Sequence, residues 1–361
     1  MNTLVPGQTI GILGAGQLGR MIAVAAAQLG MKVKTFAPEK NPPAAQVASD
    51  HISAPFTDDV ALTAFAQSCD VITYEFENIP VSALEAIKGI KPVRPGPRCL
   101  EIAQDRLFEK DFLSSIGVTC APYQAVDSLN GLQDAIEALG FPAVLKTRRF
   151  GYDGKGQTFI RAQDDVSEAW DALGNAPGGL ILEGYVPFEK EVSVIVARSP
   201  NGKSKTYGPI WNEHSNHILH LSHVPPLVSD ESAEIALSSA MNVAEALEAI
   251  GVICVEFFVL PDGEIVANEI APRVHNSGHW TIEGAVTSQF ENHVRAIAGM
   301  PLGDTDATGC VKMQNLIGNE IETLPDLLAQ GDAHVHHYGK PEARVGRKMG
   351  HVTWVMPHAK A

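Results

Sequence analysis

The sequence predicts a chain of α/β and α+β character, parallel sheet first and antiparallel hairpin later. Three observations carry this. Residues 9–76 alternate short β-rich runs with helical patterns, the βαβ order that builds a parallel sheet. Further on, Ile253–Leu260 and Glu264–Ile270 are strand-like runs joined by Pro261-Asp262-Gly263, and Asp-Gly is the strongest short hairpin signal. The length, 361 residues, exceeds what one hydrophobic core usually serves, so two or three domains are expected.

In the first region the strands are Thr9–Leu13, Lys32–Phe36 and Val71–Phe76, with helical patterns at Gln17–Leu29 and Val60–Gln67. Gly14-Ala-Gly-Gln-Leu-Gly19 is G-x-G-x-x-G at a strand-to-helix turn, with Glu39 about 20 residues on, as in a dinucleotide fold. Such glycines also serve tight packing or bind any anion at a helix N-terminus, and no partner for hydride transfer is evident. Lys91–Arg98, KPVRPGPR, excludes helix by its prolines and marks a domain boundary just after it. A helix at Asp105–Ile116 carries Arg106 early. Then come Leu129–Leu139, a strand Phe141–Lys146, a helix Asp165–Leu173 and a strand Leu180–Glu183. There is no internal repeat.

Lys146-Thr-Arg-Arg-Phe-Gly-Tyr-Asp-Gly-Lys-Gly-Gln157 places three glycines and two lysines directly after the strand 141–145. Glycines let backbone N–H groups approach an anion, and a strand-end lysine sets its ammonium on a phosphate oxygen. A solvated hairpin tip has the same composition. In the late hairpin, a two-residue loop at Asp262 and Gly263 pairs Pro261 with Glu264 and so sets Glu256 opposite Glu269, with Cβ atoms roughly 5 Å apart. A three-residue loop would undo that pairing. Two carboxylates that close need a proton or a cation between them, and few hard oxygen ligands suit Mg²⁺ held together with phosphates. Downstream, Ala271–His279 is polar and non-helical and brings Arg273, His275, Asn276 and Ser277 beside that pair.

The composition excludes some partners. With 27 basic and 42 acidic residues the formal charge is -15, which disfavours nucleic acid and anionic membranes. Cys69, Cys99, Cys120, Cys254 and Cys310 stand singly without zinc-like spacing and read as reduced cytosolic core residues. No basic n-region or spanning apolar run is present, so a cytoplasmic protein is expected.

A lysine ending a strand before a glycine-rich loop, a glutamate ending the next strand and two glutamates on a late hairpin resemble, in that order, the ATP-grasp superfamily. Within it, GILGAGQLGRM, QDR at 104–106, GYDGKGQ at 151–157, EVSV at 191–194, NEIAPRVHNSGHWTIE at 268–283 and GRKMGH at 346–351 look like the 5-(carboxyamino)imidazole ribonucleotide synthase family. The match runs from Gly11 to near the C-terminus. It implies an N-terminal α/β domain over 1–103, an ATP-grasp domain over 104–298 with a lid at about 120–186, and a small β-rich C-terminal domain over 299–361. It also implies a homodimer. The implied activity is ATP- and bicarbonate-dependent carboxylation of aminoimidazole ribonucleotide. Formate-dependent glycinamide ribonucleotide formyltransferase is the nearest alternative; biotin carboxylase, a non-catalytic nucleotide sensor and an NAD-dependent dehydrogenase stand further off.

The same resemblance assigns roles. Arg106 and Lys146 would contact the ATP phosphates, with Gly151, Tyr152, Asp153, Gly154, Lys155, Gly156 and Gln157 folding over them. Glu183, Gly184, Tyr185 and Val186 would hold adenine, Glu191 the ribose, and His214 and Asn268 further nucleotide positions. Glu256 and Glu269 match magnesium ligands, with Mn²⁺ an acceptable substitute; Ala271 stands where many relatives add an asparagine. Gln17, Leu18, Glu75, Asn276 and Ser277 would face the ribonucleotide. Lys340, Arg347 and Lys348 would bind its 5′-phosphate, and Arg344 is the weaker member of that cluster. Arg273 is assigned bicarbonate, and His275 with Lys348 the catalytic proton and charge work. Substitution of Lys146 or the glycines should matter more than substitution of Arg148 and Arg149, read as exposed.

Overall fold

The computed structural model describes residues 3–151 and 154–356, whose strands form three sheets. The first is wholly parallel: β1 Thr9–Leu13, β2 Lys32–Ala37, β3 Asp50–Ser53 and β4 Val71–Tyr74 lie in the order β3-β2-β1-β4. β1 and β4 read as continuous apolar runs because helices cover both faces. On one face Leu13, Phe36 and Ile72 pack with Leu62 and Phe65 of the helix Asp59–Gln67. On the other, Ile10, Ile12 and Val33 meet Leu18, Ile22 and Ala26 of the helix Gln17–Gln28.

The second sheet is antiparallel. Its strands, β5 Tyr123–Val126, β6 Ala143–Thr147, β7 Gln157–Ile160 and β8 Leu180–Gly184, run β5-β8-β6-β7. The amphipathic helices Leu129–Leu139 and Asp165–Leu173 share its core through Leu132, Ile136, Val166 and Ala169.

Eight strands form the third sheet: β9 Lys190–Arg198, β10 Ser204–Ser215, β11 Ile218–Val224, β12 Gly251–Val259, β13 Ile265–Ala271, β14 Cys310–Ile317, β15 His334–His337 and β16 Lys348–Met356. Their order is β13-β12-β9-β10-β11-β14-β16-β15, every neighbour antiparallel. Strand period sorts β9 cleanly. Val192, Val194 and Val196 pack under the helix Asp230–Ala246, while Ile195 and Ala197 join the core shared with the helix Gln289–Ile297 and the parallel sheet. That shared core fixes the N-terminal sheet against the central one. The segment from 299 onward supplies β14, β15 and β16 to the central sheet itself.

Two local expectations are corrected. The proline-rich stretch does not stay helix-free, because Gly96 caps a helix Pro97–Ala103 whose first residue is proline, where a missing N–H costs nothing. The hairpin after β12 has a three-residue loop, with Leu260 N–H bonded to Glu264 and Gly263 at φ +88°. By the counting rule this register should separate the two glutamates. Instead Phe257 pairs with Ala267 and Glu256 with Glu269, so Asn268 is one extra residue, a β-bulge that restores the pairing.

Candidate active site

One cavity of about 1060 Å³ opens between the three sheets. Of the residues singled out by sequence, Gln17, Leu18, Arg106, Lys146, Gly151, Gly154, Lys155, Gln157, Glu183, Gly184, Tyr185, Val186, Glu191, His214, Glu256, Asn268, Glu269, Arg273, His275, Asn276 and Lys348 line it. Gly156 sits just behind, its carbonyl accepting from the Thr147 amide at 2.8 Å. Tyr152 and Asp153 lie outside the described residues. Glu75, Ser277, Lys340 and Arg347 are not part of the lining.

Lys146 leaves the end of β6 and its ammonium meets Glu183 Oε2 at 2.9 Å, while Lys110 approaches the same oxygen at 3.7 Å. Glu183 is 3% exposed. Burial alone pushes its carboxyl up, but Lys110, Lys146 and Arg106 together outweigh burial and hold it down at about 2. Burial and the neighbouring cations lower Lys146 in turn, against the pull of Glu183. Glu183 Oε1 is buried and, among the described residues, has no hydrogen-bond partner. Phe188 and Phe258 stack at 4.3 Å between ring centres on the same wall. Sequence reasoning missed this platform, although Phe258 is two residues from Glu256 and so shares its face of β12.

The carboxylate pair is held from both sides. His275 Nε2 lies 2.9 Å from Glu256 Oε1, and its Nδ1 accepts from the Ser277 hydroxyl at 2.8 Å. Ser277 in turn accepts from Ser193 at 2.7 Å, and Ser193 from Asn212 at 2.9 Å. This chain of donors places the imidazole proton on Nε2, toward Glu256. Burial raises the Glu256 carboxyl, but His275, His214 and Lys348 prevail and hold it at about 2. On the other side Arg106 reaches Glu269 Oε2 at 3.5 Å. Glu191 Oε1 and His214 Nδ1 meet at 3.1 Å, and their donor atoms come within 4.8 Å of a Glu256 oxygen. Burial lowers His214, and Glu191 with Glu256 more than offsets it.

Several contacts depart from the sequence reading. Arg148 is not exposed: its guanidinium forks onto both Asp105 oxygens at 2.9 Å, and Asp105 caps the helix Arg106–Ser115. A cap of this kind contributes about 1 kcal/mol, so Arg148 fixes the helix that carries Arg106. Arg149 donates to Gln104 at 2.7 Å. Glu77, absent from the sequence reading, pairs with Arg273 through its Nε; burial would raise the Glu77 carboxyl, and Arg273 lowers it. The glycine turn 14–19 is already occupied, since Glu75 accepts from the Gly16 and Gly19 amides at 2.8 and 3.1 Å. A Cβ on Gly14 would lie 2.8 Å from that carboxylate. The glycines therefore make room for Glu75, Glu39 is exposed and outside the cavity, and the dinucleotide reading falls. Beneath the basic loop, Lys340 donates to the Lys348 carbonyl at 2.6 Å and, by burial and the nearby Arg347 and Lys348, is lowered to about 8. Arg344 pairs with exposed Glu342 instead. All five cysteines are free, and among the described residues no helix is long and apolar enough to cross a membrane.

Antiparallel modules that close a strand-end lysine, a buried glutamate and paired hairpin carboxylates around one cavity define an ATP-grasp enzyme. Residues 111–290 match the model of the ATP-grasp domain, 7–104 that of the ribonucleotide synthetase preATP-grasp domain and 312–361 that of the phosphoribosylaminoimidazole carboxylase C-terminal domain. The N5-carboxyaminoimidazole ribonucleotide synthase of Brucella melitensis is 49% identical over 98% of this chain and 98% of its own length. The crystal structure of an ADP complex of an N5-carboxyaminoimidazole ribonucleotide synthetase superposes with a TM-score of 0.95 at 44% identity, covering 99% of this chain and 94% of the other. The Aspergillus clavatus enzyme in complex with ADP and 5-aminoimidazole ribonucleotide gives 0.91 at 31% identity, covering 98% and 94%. The chain belongs to the N5-carboxyaminoimidazole ribonucleotide synthase family.

Proposed function

We infer that this chain carboxylates 5-aminoimidazole ribonucleotide to 5-(carboxyamino)imidazole ribonucleotide at the expense of ATP, a step of purine biosynthesis. The carrying observation is that one cavity runs from Lys146, Glu183 and the Glu256–Glu269 pair to Gln17, Arg273 and Lys348, joining a nucleotide end to a second, basic end. The adenine amine donates to the unpartnered Glu183 Oε1, and the ring lies against Phe188 and Phe258. Lys146 and Arg106 take the phosphates. Glu256 and Glu269, opposed on one sheet face, would hold a hard divalent ion. When bound, Mg²⁺ would neutralise charge on the transferring phosphoryl group.

Bicarbonate oxygen bonds to the γ-phosphorus, ADP leaves, and the carboxyphosphate formed passes its carboxyl carbon to the substrate amine as phosphate departs. Arg273, positioned by Glu77, holds bicarbonate. The segment 120–186 closes as a lid, since water would consume carboxyphosphate in an open site. His275 is the candidate for the proton transfer from the amine, its ring set beside the carboxylate pair by Glu256 and Ser277. Lys340, Arg347 and Lys348 hold the 5′-phosphate, with Gln17, Leu18, Glu75, Asn276 and Ser277 shaping the ribonucleotide end.

ADP release with ATP, bicarbonate and aminoimidazole ribonucleotide, each omitted in turn, tests the reading. Turnover that ignores bicarbonate overturns it. His275→Asn should lower carboxylation more than bicarbonate-dependent ATP cleavage, and equal losses remove its proton role.

A further inference from the structure

The helix Arg106–Ser115 grips the bulged part of β13 with three side chains spaced i, i+3 and i+4, which places them on one helical face. Arg106 reaches Glu269 Oε2 at 3.5 Å. Glu109 Oε1 accepts the Ile270 amide at 2.5 Å, and Lys110 Nζ donates to the Asn268 and Ala267 carbonyls at 2.9 and 3.4 Å. Each residue from Ala267 to Ile270 is thus held by this helix. Glu109 and Lys110 are 2% and 1% exposed. Burying a lysine that deeply is costly unless its protons are satisfied, and here two carbonyls and Glu183 at 3.7 Å satisfy them.

The bulge gives this grip a purpose. The three-residue loop favours a flush register in which Val259 pairs with Ile265 and Phe257 with Ala267. Continued without a bulge, it would set Asn268 opposite Glu256 and Glu269 opposite Val255, turning Glu269 to the buried apolar face. A hold on the Asn268 carbonyl and the Ile270 amide blocks that slip. The same ammonium touches Glu183, which carries Lys146.

We propose that Glu109 and Lys110 are positioning residues that lock the Asn268 bulge, keep Glu269 opposite Glu256, and join that register to the nucleotide-side carboxylate Glu183. The proposal rests on the reading that Glu256 and Glu269 hold the divalent ion. Its test compares wild type with Lys110→Met, Glu109→Leu and Glu109→Gln by ADP titration calorimetry with Mg²⁺ and with EDTA, and by amide exchange in residues 265–271. Lys110→Met and Glu109→Leu should lose about tenfold of the Mg²⁺-dependent gain in ADP affinity, the usual cost of removing a residue that orients a metal ligand. Exchange at 265–271 should accelerate while exchange at 192–197 stays as in wild type. Glu109→Gln, whose amide oxygen still accepts from Ile270, should match wild type in both.

Unchanged protection at 265–271 with equal affinity losses in Mg²⁺ and EDTA would show Lys110 acting by charge alone and overturn the lock. If Lys110→Met accelerates exchange throughout, Glu109→Leu decides by the same two readings. A wild type without any Mg²⁺-dependent gain would instead overturn the metal reading, leaving the lock to stand or fall on exchange.

Discussion

Two glycine-rich turns follow apolar strands in this chain, and different groups lie against them. At 14–19 the amides of Gly16 and Gly19 are consumed by Glu75, a carboxylate only 8% exposed, so the helix N-terminus is filled from within. At 151–157 the described glycines line or back a 1060 Å³ cavity, and Gly154 and Gly156 take φ +76° and +72°. A glycine pattern reports that something approaches the backbone closely. Whether that is the chain's own carboxylate or a ligand depends on residues far off in sequence.

The contrast breaks most sharply at Lys146. If the second turn is a phosphate loop, Lys146→Met should lower ATP cleavage by 100-fold or more, the usual loss when a donor to developing charge is removed. Thermal unfolding should change little by comparison. ADP release under saturating substrates measures the first, and a loss under tenfold would return the loop to a surface role.

At Glu75 the expected effect is on stability. Glu75→Ala removes two charge-assisted hydrogen bonds to the helix amides and should cost about 2 kcal/mol, read from the urea midpoint. Wild type should give no NADH fluorescence enhancement, because its helix amides are taken. A stability loss below about 0.5 kcal/mol would mean the cap is not what the first turn is built for.

The parallel sheet was legible in the sequence because its period and turn chemistry are local: the strand Thr9–Leu13 and the helix Gln17–Gln28 fall, to within a residue, where their patterns put them. The central sheet was much less legible. β9 is apolar on both faces, so alternation marks nothing, and β14 joins β11 across the whole of the helix Asp230–Ala246 and the β12–β13 hairpin. The Glu256–Glu269 pairing was read correctly through a wrong loop length, since two local deviations, one longer loop and one bulge, cancel. Lys110 and Glu77 escaped notice because a lysine amid helix polar residues and a glutamate in a loop look solvated. Only the fold shows Lys110 buried against the Asn268 carbonyl and Glu77 paired with Arg273.

A buried histidine bolts the first region to the central sheet and makes that region acid-sensitive. His293 is fully buried, accepts from the Val252 amide at 3.1 Å and contacts Thr73 Oγ1 of β4 at 2.9 Å, so its Nε2 carries the proton. Burial lowers it from 6.5 to about 3. The folded state therefore binds fewer protons than the unfolded state between those values. Its contribution is complete above pH 6.5 and is lost as pH falls toward 3, at up to about 1.4 kcal/mol per pH unit. His293→Gln keeps an acceptor and a donor without titrating. Urea midpoints at pH 7 and pH 5.5 should fall less for the variant, and parallel slopes would remove His293 as the bolt.

The smallest effect sharpens the second turn alone. A Cβ on Gly154 would lie 2.6–2.7 Å from the His217 side chain, and the φ of +76° adds left-handed strain of about 1 kcal/mol. Gly154→Ala should therefore raise the KM for ATP by more than the roughly fivefold that the strain alone gives, and leave the KM for aminoimidazole ribonucleotide as it is. His217 itself has φ +63°, so His217→Gly suits its backbone and clears the clash. In the double variant the contact term should vanish and only the strain remain, bringing the KM for ATP part of the way back. An identical KM in single and double variants would show that the loop works away from His217, in a position more closed than the one seen here.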